Sequence, residues 1–132
     1  MTGATHASIG AALGAIIRKP GLAFAAGVVS HIIADILPHR DCPPKVEAAL
    51  LTATLGFIIA RYGINSPQFW GAAGAVSPDF EHLLLELGLI RPEDEIFPTH
   101  IDYGKWHGSE TNERISQLLT FAAGMFIADK SK

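Results

Sequence analysis

The chain has 132 residues, with ten Lys and Arg against 13 Asp and Glu and a formal net charge of −3 at pH 7. That length fits one domain with one core, and basic residues scattered in ones and twos exclude nucleic-acid binding through a basic patch. The single cysteine, Cys42, excludes an internal disulfide framework and a cysteine-built zinc site, and suits a reducing, cytoplasmic setting.

Hydrophobic residues make up 48% of the chain and the mean hydropathy is +0.27, which raises the question of a membrane. The stretches without Asp, Glu, Lys or Arg run from Pro20 to Ala34, Ala48 to Ala60, Tyr62 to Pro78 and Ile115 to Ala128. A bilayer span wants roughly 20 apolar residues, and each of these is short or interrupted by Gly, Pro, Asn or His. Buried core helices are the reading adopted, with association at a membrane surface as the alternative. The N-terminus lacks the basic start of a secretory signal, so no cleaved targeting segment is expected.

Thr5 or Ser8 is placed to cap a first helix that runs through Ile17, where Arg18-Lys19-Pro20-Gly21 stops it. Gly10, Ala11 and Gly14 on that helix imply close packing against a neighbour. A second helix is expected from Leu22 to Leu37, halted by Pro38, and a third from Lys45 to Arg61 or Tyr62, opened by Pro44. Phe69 to Val76 reads as a short fourth helix. Ser77-Pro78-Asp79 then reads as the cap and first turn of a fifth that ends near Gly88. Arg91 to Gly108 is polar and broken by Pro92, Pro98 and Gly104, so a loop of about 15 residues is expected there. Ser109 to Ala128 closes the chain as a last helix, with Glu110 and Glu113 near its start and Leu119 on its core side. The fold class is therefore all-α, a single bundle of five or six helices with a long polar loop before the last.

Three constellations are candidates for chemistry. In His31-Ile-Ile-Ala-Asp35-Ile-Leu-Pro-His39 the spacing of four puts His31 and Asp35 on one helix face, with His39 just past the helix end. Imidazole and carboxylate on one stripe suit zinc, manganese or iron. In Ser77-Pro78-Asp79-Phe80-Glu81-His82 the Asp79 and His82 pair, three apart, is a form in which helical bundles present metal ligands inward. The loop run Pro98 to Gly108 carries His100, Asp102 and His107. His6 stands alone in an apolar first helix. Each has a plainer reading: a core histidine on a carbonyl, acids at a helix N-terminus, solvated loop side chains, a capping histidine. Taken together they favour a metal site, because imidazole and carboxylate in such apolar helices need partners.

The run Phe24-x-x-Gly27-x-x-x-His31-x-x-x-Asp35-x-x-Pro38-His39 resembles the helix signature of zinc-dependent phospholipase C and related single-strand-specific nucleases. There, a histidine, an aspartate four later and a histidine after a proline bind a zinc cluster. His39 follows Asp35 sooner here. His6 with Pro78-Asp79-Phe80-Glu81-His82 also resembles the small membrane-bound metal-dependent hydrolases, and His107-Gly108-Ser109 is similar to their later His-Gly motif before a final apolar helix. The resemblance implies metal-dependent phosphoester hydrolysis.

The expected function is a divalent-metal hydrolase acting on a phospholipid-like or nucleotide-like phosphoester. Its metal ligands come from His6, His31, Asp35, His39, Asp79, His82, His100 and His107, with zinc first and manganese or iron as alternatives. Asp102 is the expected general base, since Glu81 points off the Asp79 and His82 face. Self-association is compatible with the apolar excess. The rival readings are a non-catalytic helical protein, membrane-associated or metal-binding, and a relative that kept the fold and lost the site.

Overall fold

Prolines and small polar residues set where the helices begin. The computed structural model describes residues 1–97, 108 and 114–131, and these form an all-α bundle. We label its helices α1 (Gly3–Ile17), α2 (Pro20–Ile36), α3 (Pro44–Tyr62), α4 (Pro67–Glu86) and α5 (Ile115–Lys130), with a 3-10 turn at Pro92–Asp94. Three of them start on a proline, whose fixed φ suits the first turn and whose missing N–H is not needed there.

Several boundaries differ from the sequence reading. The α1 cap is Thr2, whose side chain accepts from Thr5 N at 3.3 Å, while Ser8 Oγ donates back to the Thr5 carbonyl at 2.8 Å. Helix α2 stops at Ile36 because Leu37, ahead of Pro38, is extended at φ −73°, ψ 146°. The two helices expected on either side of Ser77 are one, α4, with Pro78 inside it. Proline removes a single helical N–H and crowds the preceding turn, but α4 is clasped by α1 and α2 along its length, and Ser77 Oγ donates to the Ala73 carbonyl at 2.7 Å rather than capping. The last helix runs two residues past Ala128 to Lys130. Glu110 and Glu113 lie outside the described residues.

The order of packing follows from small residues. A Cβ on Gly10 would collide with the Gly71 carbonyl, one on Gly14 with the Pro67 carbonyl, and one on Gly74 with the Phe24 carbonyl. Backbones of α1, α2 and α4 therefore touch almost directly. Helix α1 lies in the middle and contacts all four other helices, while α3 leans only lightly on α4. The buried cluster is correspondingly fine-grained: Ala7, Ala11, Ala72, Val76 and Ala128 around Ile58.

Polar ties give the directions. Gly3 N donates to Glu47 and Thr2 N to Gln117, so the starts of α1, α3 and α5 meet at one end. The Arg61 guanidinium reaches Asp129 at 2.7 Å, joining α3 and α5 at the other end. Helices α2 and α4 run the opposite way and bring their C-terminal halves, with Asp35, Asp79 and His82, towards the end where α1 begins.

The large side chains mostly face out. Leu22, Val29, Ile33, Phe57, Leu118, Leu119 and Phe126 are all exposed, and Leu119, at 64%, is not the core residue expected. Charged residues sit near the two ends, with a girdle free of charge between them. Among the described residues no helix is long and apolar enough to cross a membrane.

Candidate metal centre

One turn into α1, His6 is fully buried. Its Nε2 lies 3.0 Å from Asp35 Oδ1, and its ring stacks on that of His31 with centroids 3.9 Å apart. From α2, the spacing of four puts His31 Nε2 3.1 Å from Asp35 Oδ2, and His31 Nε2 is also 3.6 Å from Asp79 Oδ1 on α4. His31 is 0% and Asp35 2% exposed, whereas the Asp79 side chain is 31% exposed. The cluster is closed on three sides and open at Asp79.

The orientation of His31 is fixed by α4. Its Nδ1 lies 2.7 Å from the Ala75 carbonyl oxygen, and since a carbonyl only accepts, Nδ1 carries the hydrogen. In the neutral ring Nε2 is then a bare lone pair aimed at two carboxylates. Such a contact is repulsive unless a proton or a cation stands between them, and a bond from the far ring nitrogen to a carbonyl is how metal-binding histidines are commonly oriented. His6 Nδ1 is buried without a hydrogen-bond partner among the described residues.

The electrostatics express the same tension. Burial opposes charge on His31, yet the hydrogen bond to Asp35 and the negative charges of Asp79 and Asp35 outweigh it and raise its pKa above the usual histidine value. Burial dominates at His6 and lowers its pKa. Burial works against an ionised Asp35 too, but its bonds to His31 and His6 hold it far below the ordinary carboxylate range. The surroundings thus favour charge on Asp35 and on His31 and disfavour it on His6.

Ligand atoms of His6, His31 and Asp79 all lie within 4.8 Å of one another. Four-coordinate zinc with bonds of about 2.0–2.1 Å places its ligand atoms about 3.3 Å apart. The His31 Nε2 to Asp79 Oδ1 distance of 3.6 Å is close to that value, so His6, His31 and Asp79 are the three side chains grouped to hold such an ion, with Asp35 3.0 and 3.1 Å from the two imidazoles.

The other expected ligands fall elsewhere. His39 is buried beside the cluster, its Nδ1–H donating to the Leu37 carbonyl at 2.7 Å and its Nε2 3.4 Å from Asp41 Oδ1. The Met1 amino group lies 3.1 Å from both Asp35 and Asp41, linking the two histidine–aspartate pairs. His82 is half-buried and lies 3.3 Å from Glu86 Oε1, outside the three-residue cluster but on the wall of the same groove as Asp79. His100, Asp102 and His107 lie outside the described residues. Glu81, set aside in the sequence reading, is buried and accepts from Ile96 N at 2.6 Å and Phe97 N at 2.8 Å. Gly108 N donates to the Asp35 carbonyl at 2.6 Å.

Sequence reasoning missed Glu47 and Asp41. Glu47 accepts from Gly3 N through Oε1, while Oε2 is buried without a hydrogen-bond partner among the described residues. Its pKa is raised, by burial first and then by the nearby Asp79 and Asp41. Both acids line a groove of about 780 Å³ with Asp35 and Asp79. Asp41 had a faint signal, two residues after His39. Glu47 had none, since its place depends on α1 and α3 running in parallel. Comparison of the chain with known protein families, with curated proteins and with solved structures finds no match.

Proposed function

We propose that this protein is a divalent-metal-dependent hydrolase of phosphoesters, with His6, His31, Asp35 and Asp79 as its ligands and zinc as the first candidate ion, ahead of manganese and iron. The observation that carries the reading is the His31 ring, locked through Nδ1 on the Ala75 carbonyl so that Nε2 faces Asp35 and Asp79. An ion there would supply a nucleophilic water at neutral pH and stabilise charge on a phosphoryl oxygen. The half-exposed Asp79 leaves one side open, as catalytic sites require and structural ones do not.

The chain's own groups divide the remaining work. Asp35, buried beside both imidazoles, would supply negative charge to balance the ion. Glu47, with one oxygen tied to Gly3 N and a raised pKa, is the carboxylate at hand to take a proton from an attacking water. It takes the general-base role that the sequence reading gave to Asp102. The likeness of the His31, Asp35 and Asp79 motifs to metal-dependent hydrolases supports the reaction class, and the uncharged girdle supports a seat at a membrane surface.

A non-catalytic alternative has one observation in its favour: the raised pKa of His31 lets a proton alone satisfy Asp35. Assay of a chromogenic phosphodiester and phosphomonoester with zinc, manganese or iron separates the two. The hydrolase reading expects metal-dependent turnover, reduced at least 100-fold in Asp79→Asn and in Glu47→Gln. Turnover that is absent with every ion, or unchanged in both variants, removes it.

A further inference from the structure

A second cavity, of about 390 Å³, opens on another face of α3 and shares only Cys42 with the groove beside Asp79. It exists because α3 and α5 each pack on α1 yet hardly touch one another, so a slot is left between them, bordered by the first turn of α1. Its volume falls within the roughly 300–1,000 Å³ of small-molecule sites. The slot carries its charge at one end. Arg40 lies in the loop before α3 and Arg114 directly before α5, so both stand where those helices begin. Buried Gln117 ties the Arg40 backbone to α5: its amide donates to the Arg40 carbonyl at 2.7 Å and its oxygen accepts from Thr2 N at 3.0 Å. Further along, the walls are Leu50 on α3 and Leu118 and Phe121 on α5. Neither helix carries an Asp, Glu, Lys or Arg over that stretch, from Ala48 to Ala60 on α3 and from Ile115 to Ala128 on α5.

The hydroxyls of the lining are satisfied within the protein. Those of Thr2 and Thr5 meet at 2.7 Å, and Thr54 Oγ1 donates to the Leu50 carbonyl at 2.8 Å. The strongly polar groups that remain are two guanidiniums, each with five N–H donors and no acceptor, and no acid among the described residues lines the slot with them. We infer that this slot binds an aliphatic monocarboxylate, its head held by Arg40 and Arg114 and its chain lying between Leu50 and the Leu118 and Phe121 edge of α5. It is a second site, independent of the metal-centred function proposed above. A cationic, donor-only mouth repels cations and offers a neutral hydroxyl no opposite charge, while a planar carboxylate meets a guanidinium fork through two parallel bonds. From Arg114 to Phe121 the helical rise of about 1.5 Å per residue makes the slot about 10 Å long, the reach of a chain of medium length.

The test is calorimetric titration of the protein with butanoate, hexanoate and octanoate, each far below its micelle concentration, in the presence of a chelator so that no metal ion holds the carboxylate. We expect one octanoate per chain and an affinity that rises by up to about fourfold per added methylene. Arg114→Gln and Arg40→Gln should each weaken octanoate by about fivefold or more, and octanol and octyltrimethylammonium should bind about tenfold more weakly than octanoate does. Leu50→Trp, at an exposed position, should obstruct the slot and flatten the rise with chain length, while Asp79→Asn should leave octanoate binding within about twofold. Leu118 is exposed as well, so Leu118→Trp keeps the test valid if Leu50→Trp fails to fold. No octanoate binding, octanol as tight as octanoate, or affinity that neither arginine variant weakens overturns the assignment. Octyl phosphate about tenfold tighter than octanoate would give the head to a phosphate, and loss of binding in Asp79→Asn would move the ligand to the metal groove. A dimer in sedimentation that takes no octanoate would give the slot to a second copy of the chain. Each of these three overturns the assignment too.

Discussion

At the scale of single residues, three side chains share a problem that one cation solves. Asp35 is buried between two imidazoles, and the His31 ring cannot offer Asp35 a hydrogen unless it is charged. A metal ion bound there would therefore compete with a proton on His31. Because the pKa of His31 is raised above the usual value, metal affinity should be weak below it and grow as pH rises through it. Zinc titrations across pH 5 to 9 should show proton release on binding; pH-independent affinity contradicts the assignment of His31. The linkage of Asp35 has the other sign. Its pKa is depressed on folding, so its contribution is present above the unfolded value of about 3.9 and is lost as pH falls below it. Replacing it by Asn takes the carboxylate away from both buried imidazoles, and the polar groups left unpaired should cost about 1–3 kcal/mol at pH 7. Urea unfolding of Asp35→Asn at pH 7 measures this; a loss under 1 kcal/mol would mean that the pair is not held as described.

At the scale of elements, what decides the fold is how closely helix backbones approach. The Gly10–Gly71 contact sets α1 on α4, and a side chain at either position collides with the opposite carbonyl. Gly71→Val should therefore destabilise by about 1–3 kcal/mol or more, whereas Leu119→Ala, at an exposed position, should change stability by less than about 0.5 kcal/mol. Thermal melts of the two variants check the contrast; equal losses would refute the packing order. Helix positions were legible to within a few residues: Pro44 was read as a start, whereas Pro20, read as part of a stop, opens α2 two residues before the expected Leu22, and Pro67 opens α4 two residues before the expected Phe69. The unity of α4 was not legible, since Ser77-Pro78-Asp79 has the chemistry of a cap and only the clasp of α1 and α2 overrides it. That His31 meets Asp35 was legible from their spacing of four, and Asp79, expected at the same site, lies 3.6 Å from His31. Glu47 was not, because nothing near it in the chain announces that it meets Gly3.

At the scale of the whole molecule, the distribution of side-chain size is inverted relative to an ordinary globular core. Ala and Gly fill the centre with His, Asp and Ser around Ile58, while most of the Leu, Ile and Phe of α2, α3 and α5 face outward. Hydropathy told the amount of apolar surface but not its side, because amphipathic periodicity presumes that large residues face the core. Small residues inside are how helices pack closely where large apolar side chains are not needed to drive them together. A girdle free of charge, bounded by charged ends, suits contact with lipid. Flotation with phosphatidylcholine vesicles should carry the protein to the lipid fraction, and Phe126→Glu with Leu118→Glu should release it; protein that stays at the bottom without detergent contradicts a membrane seat.

All of this turns on whether the four-residue cluster takes a metal ion. Elemental analysis by plasma mass spectrometry, on protein purified without a histidine tag and then exposed to equimolar zinc, manganese and iron, is the most direct test. The account expects about one equivalent or more of a single metal, retained through desalting and lost in His31→Ala and Asp79→Ala variants that keep their helical circular dichroism. Metal-free protein after that exposure, or full occupancy in both variants, would contradict it.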